Sequence, residues 1–224
     1  MNFNEKENST KIFDNYASHS YHNCDDANYG ICRKSQWGGC GPSGDETLKW
    51  SLNESKDTLT ITGDGTTMDN YTDGALTPWN TERASIKSVD IQASALKNIG
   101  DYAFKYCTNL ATVTLPDSVE TIGVGAFEEN TSLANIPLLK VKDIGMAAFY
   151  GCTALTTAVV KNSVTIGEQA FNKDNNGLIT GLKLYVLTAH GDAMELKGTG
   201  ATGLNLIEAG QVGTTCIYRV TTEG

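Results

Sequence analysis

The sequence predicts a mostly β solenoid of about four to five short stacked coils, with a cap at each end. Two internal repeats carry this prediction. The pattern Ile-Gly-x-x-Ala-Phe occurs four times at steps of 22 or 23 residues, beginning at Ile99, Ile122, Ile144 and Ile166. A second pattern of spaced apolar residues recurs at nearly the same step, 22 to 24 residues, beginning at Ile86, Leu110, Leu133 and Leu155. Fixed self-similarity at such a step indicates stacked structural repeats.

Each repeat can be interpreted physically. Alternate side chains of a strand point to opposite faces, so Val113 and Leu115 should enter the core while Thr112 and Thr114 face outward. Each Gly allows a tight bend or a close approach of coils. No coil can bury its apolar face alone, so stacking must form the core, as in leucine-rich repeats. The predicted repeat core consists of Ile99, Phe104, Leu110, Val113, Leu115, Ile122, Phe127, Leu133, Ile136, Leu138, Ile144, Phe149, Leu155, Ile166 and Phe171.

Residues 110–127 carry a resemblance to a known family. They read Leu-x-x-Val-x-Leu-Pro-x-Ser-Val-x-x-Ile-Gly-x-x-Ala-Phe, which resembles the BspA-type leucine-rich repeat. The segments around Cys40-Gly41 and Pro78-Trp79 are similar to the lead-in of such repeats, and the resemblance covers roughly residues 40–210. It implies display at the cell surface, adhesion, and binding to host or matrix proteins.

The N-terminal part is predicted to contain an extension and a cap. Residues 1–40 are polar, a composition that cannot form its own core, and are predicted to be a polar extension. Residues 41–85 are predicted to be the N-terminal cap. Within them, the alternating apolar residues of 48–62 indicate a β-hairpin that covers the first coil. Trp79 is predicted to plug that coil.

The repeats are predicted to occupy residues 86–176 and a terminal cap residues 177–224. The repeat step fails after Phe171, where a cluster of turn residues follows. Residues 182–186 then read as one more strand and 216–220 as the last strand. An atypical end is expected, because the last coil must be polar outside.

Composition excludes several classes of partner. The net charge of −9 and the pI near 4.8 argue against nucleic acid and against anionic membranes. No apolar run approaches the roughly 20 residues of a membrane span, so membrane insertion is not expected. No signal peptide is visible at Met1. The resemblance nevertheless implies an extracellular or cell-surface location. Because no signal peptide is visible, a cytoplasmic location stays open.

No catalytic, metal or cofactor motif is present. The sequence lacks Gly-x-Ser-x-Gly, His-Glu-x-x-His and a phosphate loop. The spacing of His19, His22 and Cys24 matches no common zinc pattern. Nothing in their spacing recommends Cys216 and His190 as a nucleophile and base. We predict a non-enzyme without metal or cofactor.

The six cysteines fall into two groups. Cys107 and Cys152 each lie three residues after a repeat Phe, so they should be stacked two coils apart. At about 9.6 Å they would be too far apart for a disulfide, and we predict two buried free thiols. The possible disulfide-forming residues in an exported chain are Cys24, Cys32, Cys40 and Cys216.

The outward side chains of the repeat strands form the predicted binding surface. Solenoids use such faces to bind extended partners, although a solvated sheet surface would look the same. Together with the resemblance, these outward side chains favour a protein-binding or adhesion module. Its partner would be a host protein, a matrix protein or another copy of this chain. The predicted binding residues are Ser88, Asp90, Thr112, Thr114, Asn135, Pro137, Thr157 and Val159.

Two alternatives stay open. Residues 1–40, with Cys216 near the contact, could join molecules head to tail into a filament, a surface layer or a smaller homo-oligomer. The outward face could instead bind glycans. That function predicts several exposed aromatic side chains, and the outward positions named above contain none.

Overall fold

The computed structural model describes residues 37–41, 47–175, 177–189, 197–198, 205–212 and 215–221, and confirms the β solenoid. Apart from one 3-10 turn, Gly74–Leu76, the regular structure of these residues is β. The strands are β1 (Trp37–Gly39), β2 (Leu48–Leu52), β3 (Thr58–Gly63), β4 (Ser88–Ile91), β5 (Asn98–Ile99), β6 (Thr112–Thr114), β7 (Thr121–Ile122), β8 (Asn135–Pro137), β9 (Asp143–Ile144), β10 (Thr157–Lys161), β11 (Thr165–Ile166), β12 (Asn172–Asp174), β13 (Gly177–Leu178), β14 (Lys183–Ala189), β15 (Asn205–Val212) and β16 (Thr215–Thr221).

Two five-stranded sheets form one wall of the solenoid. The first has the order β1-β2-β3-β4-β6 and the second the order β15-β16-β14-β10-β8. Strands contributed by successive coils pair in parallel, as β4 does with β6 and β8 with β10. The end strands pair antiparallel, as β2 does with β3 and β14 with β16. The predicted hairpin over 48–62 is therefore confirmed.

A second wall comes from the Ile-Gly segments. Their two-residue strands form a parallel sheet in the order β11-β9-β7-β5. Single bridges add Thr67 beside Asn98 at one end of this sheet and Lys197 beside Thr165 at the other. Both edges of the small sheet are thus covered by residues outside the Ile-Gly repeats, as an open solenoid requires.

A column of stacked aromatic rings runs through the interior. The rings of Trp79, Phe104, Phe127, Phe149 and Phe171 follow one another with centroid separations of 5.5, 5.3, 5.5 and 5.2 Å and interplanar angles of no more than 21°. The Trp79 indole also donates a hydrogen bond of 3.0 Å to the carbonyl oxygen of Ala103. Trp79 thus stacks on Phe104 at the start of the column, where a preceding coil would place its Phe. The prediction that Trp79 plugs the first coil is confirmed.

The repeated Gly is needed because neighbouring coils approach closely there. A Cβ atom on Gly145 would lie 2.7 Å from the carbonyl carbon of Gly123, and one on Gly100 would lie 1.8 Å from the carbonyl oxygen of Asp69. Two positions after each such Gly, the backbone adopts a positive φ, as at Ala147 (53°). Only Gly125 fills that second position with glycine. Spacing between coils, rather than backbone conformation, therefore explains the repeated Gly.

The structure buries every predicted repeat-core side chain except one. Leu115 is only half-buried and packs at the margin of the core. It directly follows β6, at the point where the two large sheets separate, so no neighbouring strand covers it. The expectation that Leu115 would be buried was therefore wrong.

The cysteines of the repeats are buried free thiols, as predicted, whereas Cys40 departs from its prediction. Cys107 and Cys152 are buried free thiols. Asn130 occupies the same position in the coil between them and is fully buried. Cys40 is also a buried free thiol, so the structure departs from the suggestion of a disulfide there. Packing into the cap core explains its burial. The proposed partners Cys24 and Cys32 lie outside the described residues, as does the side chain of Cys216.

Both caps extend the first wall further than the sequence suggests. β1 lies inside the predicted polar extension and pairs with β2, so the sheet begins before residue 41. At the other end, β14 continues the parallel ladder beside β10, and β16 and β15 then add two antiparallel strands. The caps are therefore continuations of the repeat sheets.

Candidate binding surface

The outward positions predicted as binding residues are aligned by the strand register. In the first sheet, Ser88 pairs with Thr112 and Asp90 with Thr114. In the second, Asn135 pairs with Thr157 and Pro137 with Val159. All eight of these side chains are exposed or half-buried, while the residues between them along each strand are buried. Each strand therefore directs one set of side chains inward and the other outward.

This surface is divided between β6 and β8. Within each large sheet, outward residues donate backbone hydrogen bonds to the preceding coil, as Thr112 N does to Lys87 O (3.3 Å) and Lys183 N to Thr156 O (3.0 Å). Pro137 occupies such an outward position and has no N–H to donate. The strands remain neighbours but form no ladder. The hydrogen-bonded ladder beneath the outward side chains is thus continuous only within each sheet.

We call the outward side chains of the first sheet the threonine face. It consists mainly of small hydroxyl groups, with one carboxylate and one lysine, contributed by Lys49, Ser51, Thr58, Thr60, Thr62, Ser88, Asp90, Thr112 and Thr114. The Asp90 carboxylate accepts a hydrogen bond of 2.7 Å from the Gln92 side chain. Apart from Lys49, these short side chains form a flat polar surface with few groups that could anchor a partner.

We call the described outward side chains of β8, β10, β14 and β16, in the second sheet, the basic face. It combines cations, an aromatic ring and aliphatic groups, contributed by Asn135, Pro137, Thr157, Val159, Lys161, Lys183, Tyr185, Leu187, Ile217 and Arg219. Sequence reasoning missed its second half because only the strict repeats were considered. The alternation in 182–186, already interpreted as a strand, could have placed Lys183 and Tyr185 outward.

The cations of the basic face have no carboxylate partner within the described part of the chain. In contrast, six other lysines form ion pairs, among them Lys142 with Glu120 at 2.8 Å and Lys105 with Glu128 at 3.0 Å. These pairs lie on loops and on the second wall. The side-chain hydrogen bond and charge of Lys142 lower the pKa of the Glu120 carboxyl. The basic face thus concentrates uncompensated positive charge on an acidic protein.

A shallow groove of about 240 Å³ opens where the two sheets separate. Its walls are largely apolar, and the ion pair between Lys140 and Asp117, 3.8 Å apart, lies at its rim. The half-buried Leu115 belongs to this groove. The lining residues are Leu115, Pro116, Asp117, Val119, Pro137, Leu139 and Lys140.

Comparison with known families identifies the repeats. The model of the BspA-type leucine-rich repeat region matches residues 81–182 with six copies. These residues form a BspA-type leucine-rich-repeat region. The resemblance noted in residues 110–127 is thereby confirmed. No curated protein sequence is significantly similar to the chain.

Parts of the chain are similar to solved leucine-rich repeat proteins. A leucine-rich repeat protein from Eubacterium ventriosum ATCC 27560 is 27% identical over 63% of this chain and 42% of its own, with a TM-score of 0.47. The T. pallidum leucine-rich repeat protein is 21% identical over 68% and 83%, with a TM-score of 0.41. A leucine rich cell surface protein from Faecalibacterium prausnitzii A2-165 is 25% identical over 71% and 51%, with a TM-score of 0.39.

None of the cysteines whose side chains the structure describes is an activated thiol. Burial raises the pKa of Cys107 and of Cys152 to about 12. Burial, followed by the charge of Asp69, raises the pKa of Cys40 to about 12 as well. A nucleophilic cysteine requires the opposite shift, because the thiolate is the reactive form. These thiols therefore serve as small core side chains.

The described residues show no further candidate centre. They contain no group of three or more potential metal-ligating side chains. No helix among them is long and apolar enough to cross a membrane. Head-to-tail assembly through residues 1–40 falls almost wholly outside the described part of the chain and stays a prediction. The same holds for a role of Cys216 at such a contact.

Proposed function

We propose that this chain is a non-enzymatic protein-binding or adhesion module that acts at the cell surface or outside the cell. The observation that carries the proposal is the register of outward side chains across strands from successive coils. Because parallel strands align these side chains in rows, an extended partner can contact several coils at once. The partner we expect is a host or matrix protein.

The composition of the outer faces supports a protein partner over a glycan. Glycan recognition would favour several exposed rings on one face. Among the outer-face side chains that the structure describes, Tyr185 is the one aromatic residue. The aliphatic side chains of Val159 and Leu187 beside it favour contact with a polypeptide.

The proposal can be tested by selecting ligands from a random peptide display library on the intact chain and mapping where they bind. Thr114→Glu with Thr157→Glu places a longer, negatively charged side chain on each outer face. Leu76→Glu with Met146→Glu introduces the same residue at two exposed positions away from those faces, 63% and 47% exposed. We expect at least about a tenfold loss of affinity with the first pair and less than about twofold with the second.

Dissociation constants would be measured by biolayer interferometry, after thermal melts have shown that both double variants remain folded. Ligands that lose affinity with the Leu76 and Met146 pair, and not with the outer-face pair, would place binding on the loops. That result would overturn the proposal.

A further inference from the structure

The basic face differs in charge from the rest of the molecule. The chain carries 26 acidic and 17 basic residues, for a net charge of −9. Yet the described outward side chains of β8, β10, β14 and β16 include Lys161, Lys183 and Arg219 and no carboxylate. Solvation alone does not require such segregation, because solvent-exposed lysines beside the second wall are paired with a carboxylate.

The arrangement of these cations has a defined geometry. Lys183 is aligned with Thr157, and Lys161 lies four residues further along β10, aligned with Leu187. The two cations are therefore separated by about 13 Å along the strand direction. Between them, Val159 is aligned with Tyr185.

An aromatic and aliphatic centre thus lies between two cations, with a third beside it. Tyr185 pairs across the strands with Arg219, so the two residues are neighbours on this face. Tyr and Arg are the residue types that most often dominate binding energy at protein interfaces. Pro137 extends the apolar centre toward the groove at the sheet boundary.

We infer that the basic face binds an extended acidic peptide segment that carries carboxylates at positions i and i+4 and an aromatic or aliphatic side chain at i+2. In an extended peptide these three side chains point to the same side, and the outer two are about 13 Å apart. The spacing matches that of Lys183 and Lys161, with the apolar residue meeting Tyr185 and Val159. Because this face is positively charged, charge complementarity requires a negatively charged partner.

This inference rests on the proposed function and specifies its partner. The probe is a fluorescein-labelled synthetic peptide with the central sequence Glu-Thr-Tyr-Thr-Glu, and its control carries Gln in place of each Glu. Binding to the full chain would be measured by fluorescence anisotropy at 50 and 200 mM NaCl. We expect the acidic peptide to bind at least tenfold more tightly than the control at the lower salt concentration, with the advantage shrinking at the higher one.

Matched variants locate the interaction. Lys161→Gln with Lys183→Gln should weaken binding at least tenfold. Lys49→Gln with Lys173→Gln removes the same charge from two exposed lysines outside the basic face, and should change affinity less than twofold. Tyr185→Thr should weaken binding about fivefold, because it removes the apolar contact and keeps the charge.

Three results would overturn the inference. Equal losses in both lysine pairs would mean that net charge alone attracts the peptide. An unaffected Tyr185→Thr variant, together with tighter binding of a sulfated polysaccharide, would indicate general polyanion binding. Absence of peptide binding, while library-selected ligands still map to the outer faces, would reject the acidic partner and leave the proposed function intact.

Discussion

The threonine face and the basic face cover the same kind of interior with different chemistry. Under both, the coils contribute one aromatic ring each to the central column, with nearly equal spacing. Above it, the first sheet presents mainly hydroxyl groups, with Asp90 and Lys49, whereas the second presents Lys161, Lys183, Tyr185 and Arg219. The interior repeats and the surface does not.

This difference has a physical cause. An inward side chain must fit between the coils before and after it, so its volume is constrained on both sides. An outward side chain meets water and only its cross-strand neighbours, so many residue types are compatible with folding. Binding specificity can therefore change along a solenoid without altering the stacking of its coils.

The largest loss of stability is expected when a ring is removed from the aromatic column, because the interior is more constrained than the outer faces. Phe127 is fully buried and lies 5.3 Å from Phe104 and 5.5 Å from Phe149, ring centroid to centroid. Phe127→Ala should lower the free energy of unfolding by roughly 3 to 5 kcal/mol, because the cavity is walled by rigid coils. Phe127→Leu is the control and should cost less than about 1.5 kcal/mol. Urea unfolding followed by circular dichroism would measure both, and equal costs would contradict a closely packed column.

The solenoid and the register of its repeats were predictable from the sequence because the interior imposes strict periodicity. The stacked rings follow directly from the recurrence of Ala-Phe, and the buried thiols of Cys107 and Cys152 follow from their position after it. The half-burial of Leu115 was not predictable from that periodicity. It depends on the break at Pro137, one coil away. Proline has no backbone N–H, and only the ladder geometry shows that position 137 should donate one to the preceding strand.

The basic face was less predictable for a related reason. Its most distinctive residues, Tyr185 and Arg219, lie in strands after the strict repeats have ended. Nothing in the spacing of β16 indicates that it turns back antiparallel beside β14, which brings Arg219 opposite Tyr185. Long-range pairing of cap strands is invisible to a search for short periodic patterns.

A smaller effect should appear when the buried thiols titrate. Burial raises the pKa of Cys107 to about 12, from 9.0 for an exposed thiol. The folded state therefore keeps a proton that the unfolded state releases above pH 9, and the thiol's contribution to stability is lost as pH rises from 9 toward 12. The free energy of unfolding of the native chain should fall more steeply over pH 9 to 11 than that of Cys107→Ala, by about 1 kcal/mol per pH unit. Denaturant melts in this interval would measure the slopes, and identical slopes would mean that Cys107 is accessible to solvent.

The smallest expected effect lies on the outer faces themselves. Thr114 and Lys183 are exposed, and neither contributes to the interior. Thr114→Ala and Lys183→Ala should each change the free energy of unfolding by less than about 0.5 kcal/mol, because no buried contact or paired charge is lost. Thermal and urea melts beside the Phe127 variants would give both values in one series. If either substitution approached the cost of Phe127→Ala, that face would be part of the structural core, and the freedom to vary that we assign to it would not exist.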